Sequence, residues 1–507
     1  MSTYVGEVAS GDGGDGGGGG GGSQDPSSPP AGMASPAGEN GNQKSTPRRK
    51  NQLSLIPLIF MIFFEVSGGP YGEEPAVQAA GPLLAIIGFL VFPFIWSIPE
   101  ALVTAELATA YPGNGGYVVW VTEAFGPFPG SMMGNWKYLS GVINNAAYPV
   151  LCSDYLSRIS PRFGTGGGWR DGAIIGFTLA LSFLNYTGLT VVGWAAVALA
   201  AVALAPFTVM GAVALPKIRP GRWLRTPEGR MGRSDWSLYF NTLFWNLNFW
   251  DNVSTMAGEV EQPQRTFPRA LLGAGLMTCI GYLVPLFAAT GALNVPQEDW
   301  SDGYLADAAG LIVGRWLKIW VEVGAVLSAV GLYEAQLSTC AFQLLGMADL
   351  GLLPRLLAVR STWFGTPWLA ILGSTAITLA VSFMSFDNII ASANFLYGLG
   401  MLLEFAAFLW LRRRRPLLKR PFRIPMKFPG LIVMCLVPSG FLLFVMLIGT
   451  WPIYAISAGL TVLGVVVYYG MGIIRAKGWM EFSKVESYQR EDEGGADHGE
   501  GRVVGRV

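Results

Sequence analysis

From residue 53 to residue 474 the chain alternates long apolar runs with short polar punctuation. Each run is close to the ~20 residues that a helix needs to cross ~30 Å of hydrocarbon. The pattern predicts twelve spans, beginning near Leu53, Pro82, Phe128, Ala173, Val191, Leu238, Arg269, Leu317, Pro367, Asn388, Pro429 and Pro452. Two of them are interrupted. The first runs into FEVSGGPYGEEP (Phe64 to Pro75), and the sixth into FNTLFWNLNFWDNVSTMAGEVEQP (Phe240 to Pro263), which crowds Asn241, Asn246, Asn248, Asp251 and Asn252 into an aromatic setting. Lipid offers no partner to free backbone groups, so an unwound stretch at membrane depth needs protein or a water-filled cavity around it. Gly68, Gly69 and Gly72 permit irregular dihedrals and Pro70 removes a donor. Asn and Asp compete for local backbone hydrogen bonds, which puts the second break at Trp250 to Ser254. On its own, SGGPYG also fits an ordinary kinked span. Matching breaks five spans apart instead divide the chain into two five-span halves and point to a binding site near the bilayer midplane.

Composition agrees with this all-α, polytopic membrane class. Of 507 residues, 51% are hydrophobic and only 13% charged, against roughly 25% charged in a soluble domain. Thirty-four basic residues balance thirty-four acidic ones, so bulk charge gives no reason to expect nucleic acid. Residues 1–50 and 478–507 are polar, and the first holds the run GDGGDGGGGGGGS; both are expected to be disordered tails, because they bury too little to offset their ordering entropy. The first tail lacks the apolar core of a signal peptide, so span one is expected to direct insertion.

With an even number of spans both termini share a side. Placing them in the cytoplasm puts eighteen Lys and Arg on cytoplasmic flanks, including Arg412 to Arg415, and eleven on outer flanks, in the sense of the positive-inside rule. The six basic residues from Lys217 to Arg233 run against it. Cys152, Cys279, Cys340 and Cys435 lie in apolar segments without metal-ligand spacing and read as packing thiols. No metal or cofactor is expected.

Ionisable residues inside spans are costly and usually line a pathway or cavity. Eleven acids lie in or beside the spans, namely Glu65, Glu73, Glu74, Glu100, Glu106, Asp154, Asp251, Glu259, Glu322, Glu334 and Glu404, against one interior base, Lys137. Such a cavity concentrates cations. Several have plainer roles. Glu100, Glu106 and Glu259 can cap helices or pair with loop arginines, Asp154 can pair with Arg158, Glu322 with Lys318, and Glu404 can anchor the arginine cluster. Glu65, Glu73, Glu74, Asp251 and Glu334 remain. Glu334 and Ser338 share a helix face, and with Thr339 they also allow a small-cation site, unless the hydroxyls simply bond their own helix. Tyr148, Trp245, Phe249, Trp250, Tyr333 and Tyr397 can supply aromatic walls for ammonium groups, or ordinary packing. The only histidine, His498, is in the tail, so intramembrane proton binding would fall to carboxylates, with Asp251, Glu334 and Glu65 the candidates.

Three stretches carry a family resemblance: FEVSGGPYGEEP, ELATAYPGNGGYVVWVTEAFGP, and LYFNTLFWNLNFWDNVSTMAGEVEQPQRTFPRAL. With these the chain resembles the amino acid-polyamine-organocation superfamily, most closely its plant polyamine uptake branch among relatives of the L-type amino acid transporters. The resemblance implies a ten-helix core of two inverted repeats, about 53–215 and 236–411, two peripheral helices at about 429–474, alternating access and proton-coupled import. The transporter domain would then be 51–477. In relatives that carry amino acids, the glycines of span one and the N-terminus of its second half hold the substrate carboxylate; the matching residues here are Ser67, Gly68, Gly69 and Tyr71. This chain departs from that pattern. Pro70 has no N–H, and Glu73 and Glu74 place negative charge where a carboxylate would approach the positive helix end. By the same resemblance Trp245 matches an aromatic gate, Asp251 a position often acidic, and Tyr333 and Glu334 fall near a span-eight site. The lysine that some members carry in span five is absent from Val191 to Leu215.

The expected activity is proton-coupled import of polyamines such as putrescine, spermidine and spermine, at the plasma membrane or an endomembrane. A cationic or neutral amino acid is the alternative cargo, and a non-transporting sensor a more distant one. No enzyme is expected, for want of a metal cluster or nucleophile motif. With no outer-loop cysteine to link a partner, no obligatory subunit is expected either.

Overall fold

The computed structural model describes residues 52–163, 167–226, 234–384, 386–447 and 449–483. The glycine-rich segment 1–50 and the tail from residue 484 lie outside the described residues. The described residues form helices joined by short loops, with one isolated parallel bridge between Leu53 and Val260. Their order gives the twelve-span, five-plus-five arrangement with breaks in spans one and six.

Span one is Leu55–Val66, an irregular stretch, and a short second half that opens the helix Glu74–Ile95. That helix is turned at Gly81 (φ 78°, ψ 169°), a conformation suited to glycine alone, so span two starts at Pro82 as expected. It continues past a bend at Trp96 into Ser97–Ala110. Spans three to five are Pro127–Ile159, Gly168–Tyr186 and Leu189–Ala214. Span six is Trp236–Asn246, a break, and a 3₁₀ segment Asn252–Glu259. Spans seven to ten are Pro263–Ala292, Arg315–Asp349, Trp368–Val381 and Phe386–Arg414. Phe428–Leu447 and Trp451–Ala476 complete the set and bury few residues.

Two features differ from the sequence reading. The second break opens at Leu247, three residues before the expected polar knot, because the helix already ends at Asn246. Two short helices, Tyr117–Phe125 and Tyr304–Ile312, cover opposite ends of the bundle; neither is long enough to register as a span.

Seven segments are long and apolar enough to cross a membrane on that basis alone. Span three falls short because it builds the interior, burying Lys137, Ser140, Asn144 and Asn145. Spans three and eight, of 33 and 35 residues, form the centre and pack along each other. At 1.5 Å per residue each is about 50 Å long, which requires tilt.

The face from which span one starts, here the proximal face, is sealed. Leu53 N donates to Glu259 O (2.8 Å) and Glu261 N to Leu53 O (2.9 Å). Asn114 Nδ2 donates to Glu259 Oε1 (2.8 Å), which also pairs with Arg360. Gly115 N donates to Thr255 O (3.0 Å). Gly346 lies so close below this loop that an added Cβ would stand 2.3 Å from Gly115 Cα. Gly346→Ala is therefore expected to hold the face open. In a variant lacking the natural cysteines, it should expose a cysteine placed at Ser254, fully buried here, to thiol reagents; unchanged labelling would show that the loop yields elsewhere.

Candidate functional site

The first helix stops because Ser67 N and Gly68 N both turn back to Phe63 O (2.9 and 3.1 Å). Gly68, Gly69 and Gly72 then take φ of 64°, 119° and 91°. Span eight presses on this bend: Ser328 Oγ donates to Gly68 O (2.6 Å), and a Cβ on Gly68 would meet Ser328 and Leu332 at 2.8 Å. Tyr71 points away, its hydroxyl donating to Ala203 O (3.1 Å) and its ring edge-on to Phe207. Trp245 lies over Gly72, its ring 3.0 Å from where a Cβ would stand.

The two breaks are tied together. Asn246 Nδ2 donates to Gly72 O (2.9 Å), and Tyr282 OH reaches Asn246 O and Oδ1 (both 3.0 Å). Past Asn246 the chain turns through Phe249, a non-glycine residue at φ 69°. It is held there by donation from Phe249 N to Tyr397 OH (2.9 Å) and from Trp250 Nε1 to Leu247 O (2.9 Å). Strain at a non-glycine residue persists only when its surroundings over-determine it, and these bonds do so.

The adjacent carboxylates of span one have different surroundings. Glu74 Oε2 accepts from Gly72 N (3.0 Å) and Oε1 from Leu305 N (3.2 Å), so it pins the break to the short helix Tyr304–Ile312. Glu73 is equally buried, yet neither of its oxygens meets a donor among the described residues. Glu65 Oε1 accepts from Asn252 Nδ2 (2.8 Å) and Thr339 Oγ1 (3.1 Å), while its Oε2 has no donor. Glu334 Oε2 accepts from Asn185 Nδ2 (3.1 Å), and its Oε1 has none. Ser338 Oγ donates to Glu334 O (2.8 Å), the own-helix bond already considered for it.

Asp251 forms a separate centre. Its Oδ2 is 2.6 Å from Lys137 Nζ, both side chains fully buried. Tyr397 OH donates to Glu100 Oε1 and lies 3.3 Å from Asp251 Oδ1. Asp251 N donates to Glu100 Oε1 (3.3 Å). Tyr148 and Tyr333 lie elsewhere, in an apolar cluster with Leu181, Leu337 and Ile371; Tyr333 OH bonds Ser182 Oγ (2.7 Å).

The plainer readings of the remaining acids divide. Glu106 takes Arg412 and Arg420, Glu259 takes Arg360, and Glu322 is 3.9 Å from Lys318. Asp154 pairs with Arg170 (2.9 Å). Among the described residues Glu100 meets no loop arginine and Glu404 does not anchor the arginine cluster; Glu100 accepts from Asp251 N and Tyr397 OH, and Glu404 is one turn past Gly400, which packs on Lys137. Asn185, Asn252, Glu100 and Glu404 were not singled out as site residues. For Glu100 and Glu404 the available signal was Lys137, one interior base that had to be met by acids from other spans.

A family model described as amino acid permease matches residues 53–473. The chain belongs to the amino acid permease family. It is 50% identical over 448 residues to the protein named polyamine transporter PUT1 of Oryza sativa subsp. japonica, covering 88% of this chain and 83% of that one. It is 47% identical over 447 residues to polyamine transporter RMV1 of Arabidopsis thaliana, covering 87% and 91%. A more distant relative, the protein named serine/threonine exchanger SteT of Bacillus subtilis (strain 168), is 25% identical over 434 residues, covering 83% and 97%.

Proposed function

We propose that this permease imports polyamines such as putrescine, spermidine and spermine by alternating access, driven by protons. The observation that carries the reading is the set of buried oxygens at the two breaks that meet no donor among the described residues, both of Glu73 and Oε2 of Glu65; Oε1 of Glu334, beside Asn185 on span eight, is a further one. A buried acceptor without a donor is costly, and the ammonium groups of a polyamine are donors and cations at once. Methylene spacers between them suit the apolar walls, with Trp245 over the opening at Gly72. The polyamine names of the relatives at 45–50% identity support the same cargo. An amino acid is disfavoured, because Glu73 stands where its carboxylate would approach.

On this reading Ser67, Gly68, Gly69, Glu65, Glu73, Trp245 and Glu334 meet cargo, and the proximal face is cytoplasmic with both termini. The protein works in the plasma membrane without an obligatory subunit. The test is uptake of labelled spermidine, in acid and at neutral pH, by cells lacking their own polyamine uptake. Uptake that rises in acid and is displaced by putrescine but not by arginine or leucine is expected. Displacement by the amino acids would give them the site instead.

A further inference from the structure

The Asp251 centre adjoins the oxygens assigned to cargo, since the next residue, Asn252, donates to Glu65 Oε1 (2.8 Å), and its own stoichiometry is unusual. Asp251, Glu100 and Glu404 are each fully buried, and Lys137 is the base among them. Lys137 is fully engaged, with Asp251 Oδ2 at 2.6 Å, Met401 Sδ at 3.0 Å and the Tyr397 ring centroid at 3.5 Å. Its single charge offsets one carboxylate. If all three were ionised, two would lack a counter-ion at a depth where an unpaired charge is not sustained. Tyr397 does not resolve this, because its one hydroxyl proton already goes to Glu100.

Glu404 supplies the decisive geometry. It lies on the same face of span ten, one turn past Gly400, where an added Cβ would stand 2.8 Å from Lys137 Cε, and two turns past Tyr397, which reaches Asp251, and neither of its oxygens meets an N–H or O–H donor among the described residues. Two carboxylates have acceptors only. A contact between them becomes a hydrogen bond when one of them carries a proton.

We infer that the Glu404–Asp251 carboxyl pair is the proton-binding site of the transport cycle, with Lys137 as its fixed counter-ion and Tyr397 connecting it to Glu100. The step is a simple protonation: one proton adds to one carboxylate oxygen, forming one O–H bond and removing one negative charge, and the reverse step returns it. Because Asp251 lies in the break of span six, and Asp251 N is bonded to Glu100 Oε1, the charge state of the pair acts on the segment that must move. The other groups facing the pair are Glu100 from span two, Tyr117 from the short helix beyond it, Lys137 from span three and Tyr397 from span ten. Cys435 from span eleven and Glu65 from span one lie within electrostatic range of Glu404 and Asp251 respectively.

This assignment rests on the polyamine reading, so its test separates the two. The full-length protein is reconstituted in liposomes that trap a pH-sensitive dye. Spermidine exchange, labelled against unlabelled, reports cargo handling; acidification of the lumen on adding outside spermidine reports coupled proton entry. Wild type is expected to do both. Glu404→Gln gives Asp251 a permanent N–H donor and imitates the protonated pair, so it should exchange spermidine while acidification falls to that of empty liposomes. Acidification by Glu404→Gln equal to wild type, or wild-type exchange without acidification, would overturn the assignment and leave the cargo reading standing. Absence of exchange by wild type would sink the cargo reading first. If Glu404→Gln fails to exchange, Lys137→Met decides. Loss of the cation should move the pH of half-maximal spermidine-driven acidification toward alkaline by about 1–3 units, and an unmoved midpoint would overturn the assignment.

Discussion

Glu73→Gln is expected to raise the spermidine concentration for half-maximal uptake by about 10- to 100-fold while leaving the folded protein as stable as before, or more so. Hydrogen bonds to charged groups contribute about 1.5–3 kcal/mol, and each 1.4 kcal/mol is about tenfold in affinity. Glu73 meets no donor among the described residues, with both oxygens buried. Removing its charge therefore breaks no internal bond, and the loss falls on cargo alone. Glu74→Gln is the informative contrast. Glu74 accepts from Gly72 N and Leu305 N, so a neutral amide there weakens two internal bonds and should lower the unfolding temperature in detergent. Paired measurements of uptake and thermal unfolding would distinguish the adjacent acids; equal uptake by wild type and Glu73→Gln would remove Glu73 from the cargo site.

The largest loss of stability is expected at Glu106. Its side chain is fully buried and receives Arg412 and Arg420, whose side chains are 6% and 5% exposed, together with Ile424 N at 2.9 Å. Glu106→Ala leaves two nearly buried guanidinium groups beside each other. Breaking a buried pair by removing one partner costs about 3–5 kcal/mol, and here the lost carboxylate also fixed the loop after span ten. The expected result is a marked drop in the unfolding midpoint in detergent. Adding Arg412→Ala should restore part of that drop, because it removes one of the stranded charges. Equal midpoints for Glu106→Ala and wild type would mean that water reaches the loop and solvates both arginines.

The course of the chain through the membrane was readable because its signals are local. The apolar runs, the glycines around Pro70 and the Asn-rich stretch after Phe240 each act on their own stretch of backbone. Partnership among the acids was not local. Lys137 and Asp251 are 114 positions apart, and Arg412 and Glu106 are 306 apart; no spacing rule joins such residues. Glu73 and Glu74 look alike in the sequence, and only the folded chain shows that Glu74 accepts from Gly72 N and from Leu305 N, 231 positions away, while Glu73 meets no donor among the described residues. The 3₁₀ form of Asn252–Glu259 was hidden for a similar reason, since its shape depends on contacts such as Thr255 Oγ1 to Thr339 O (3.0 Å).

The two backbone bonds that join Leu53 to Glu259 and Glu261 bear on how a cargo could leave. They fasten the starting end of span one to the finishing end of span six, so these two half-helices behave as one leaf of a door rather than as two. A route opening between them would have to break both bonds at once. On the import cycle proposed above, a hinge movement that keeps both bonds would carry the joined pair away from Asn114, Gly115 and Gly346, so a path at this face would open along that glycine-lined jamb, with the Glu259–Arg360 pair as its latch.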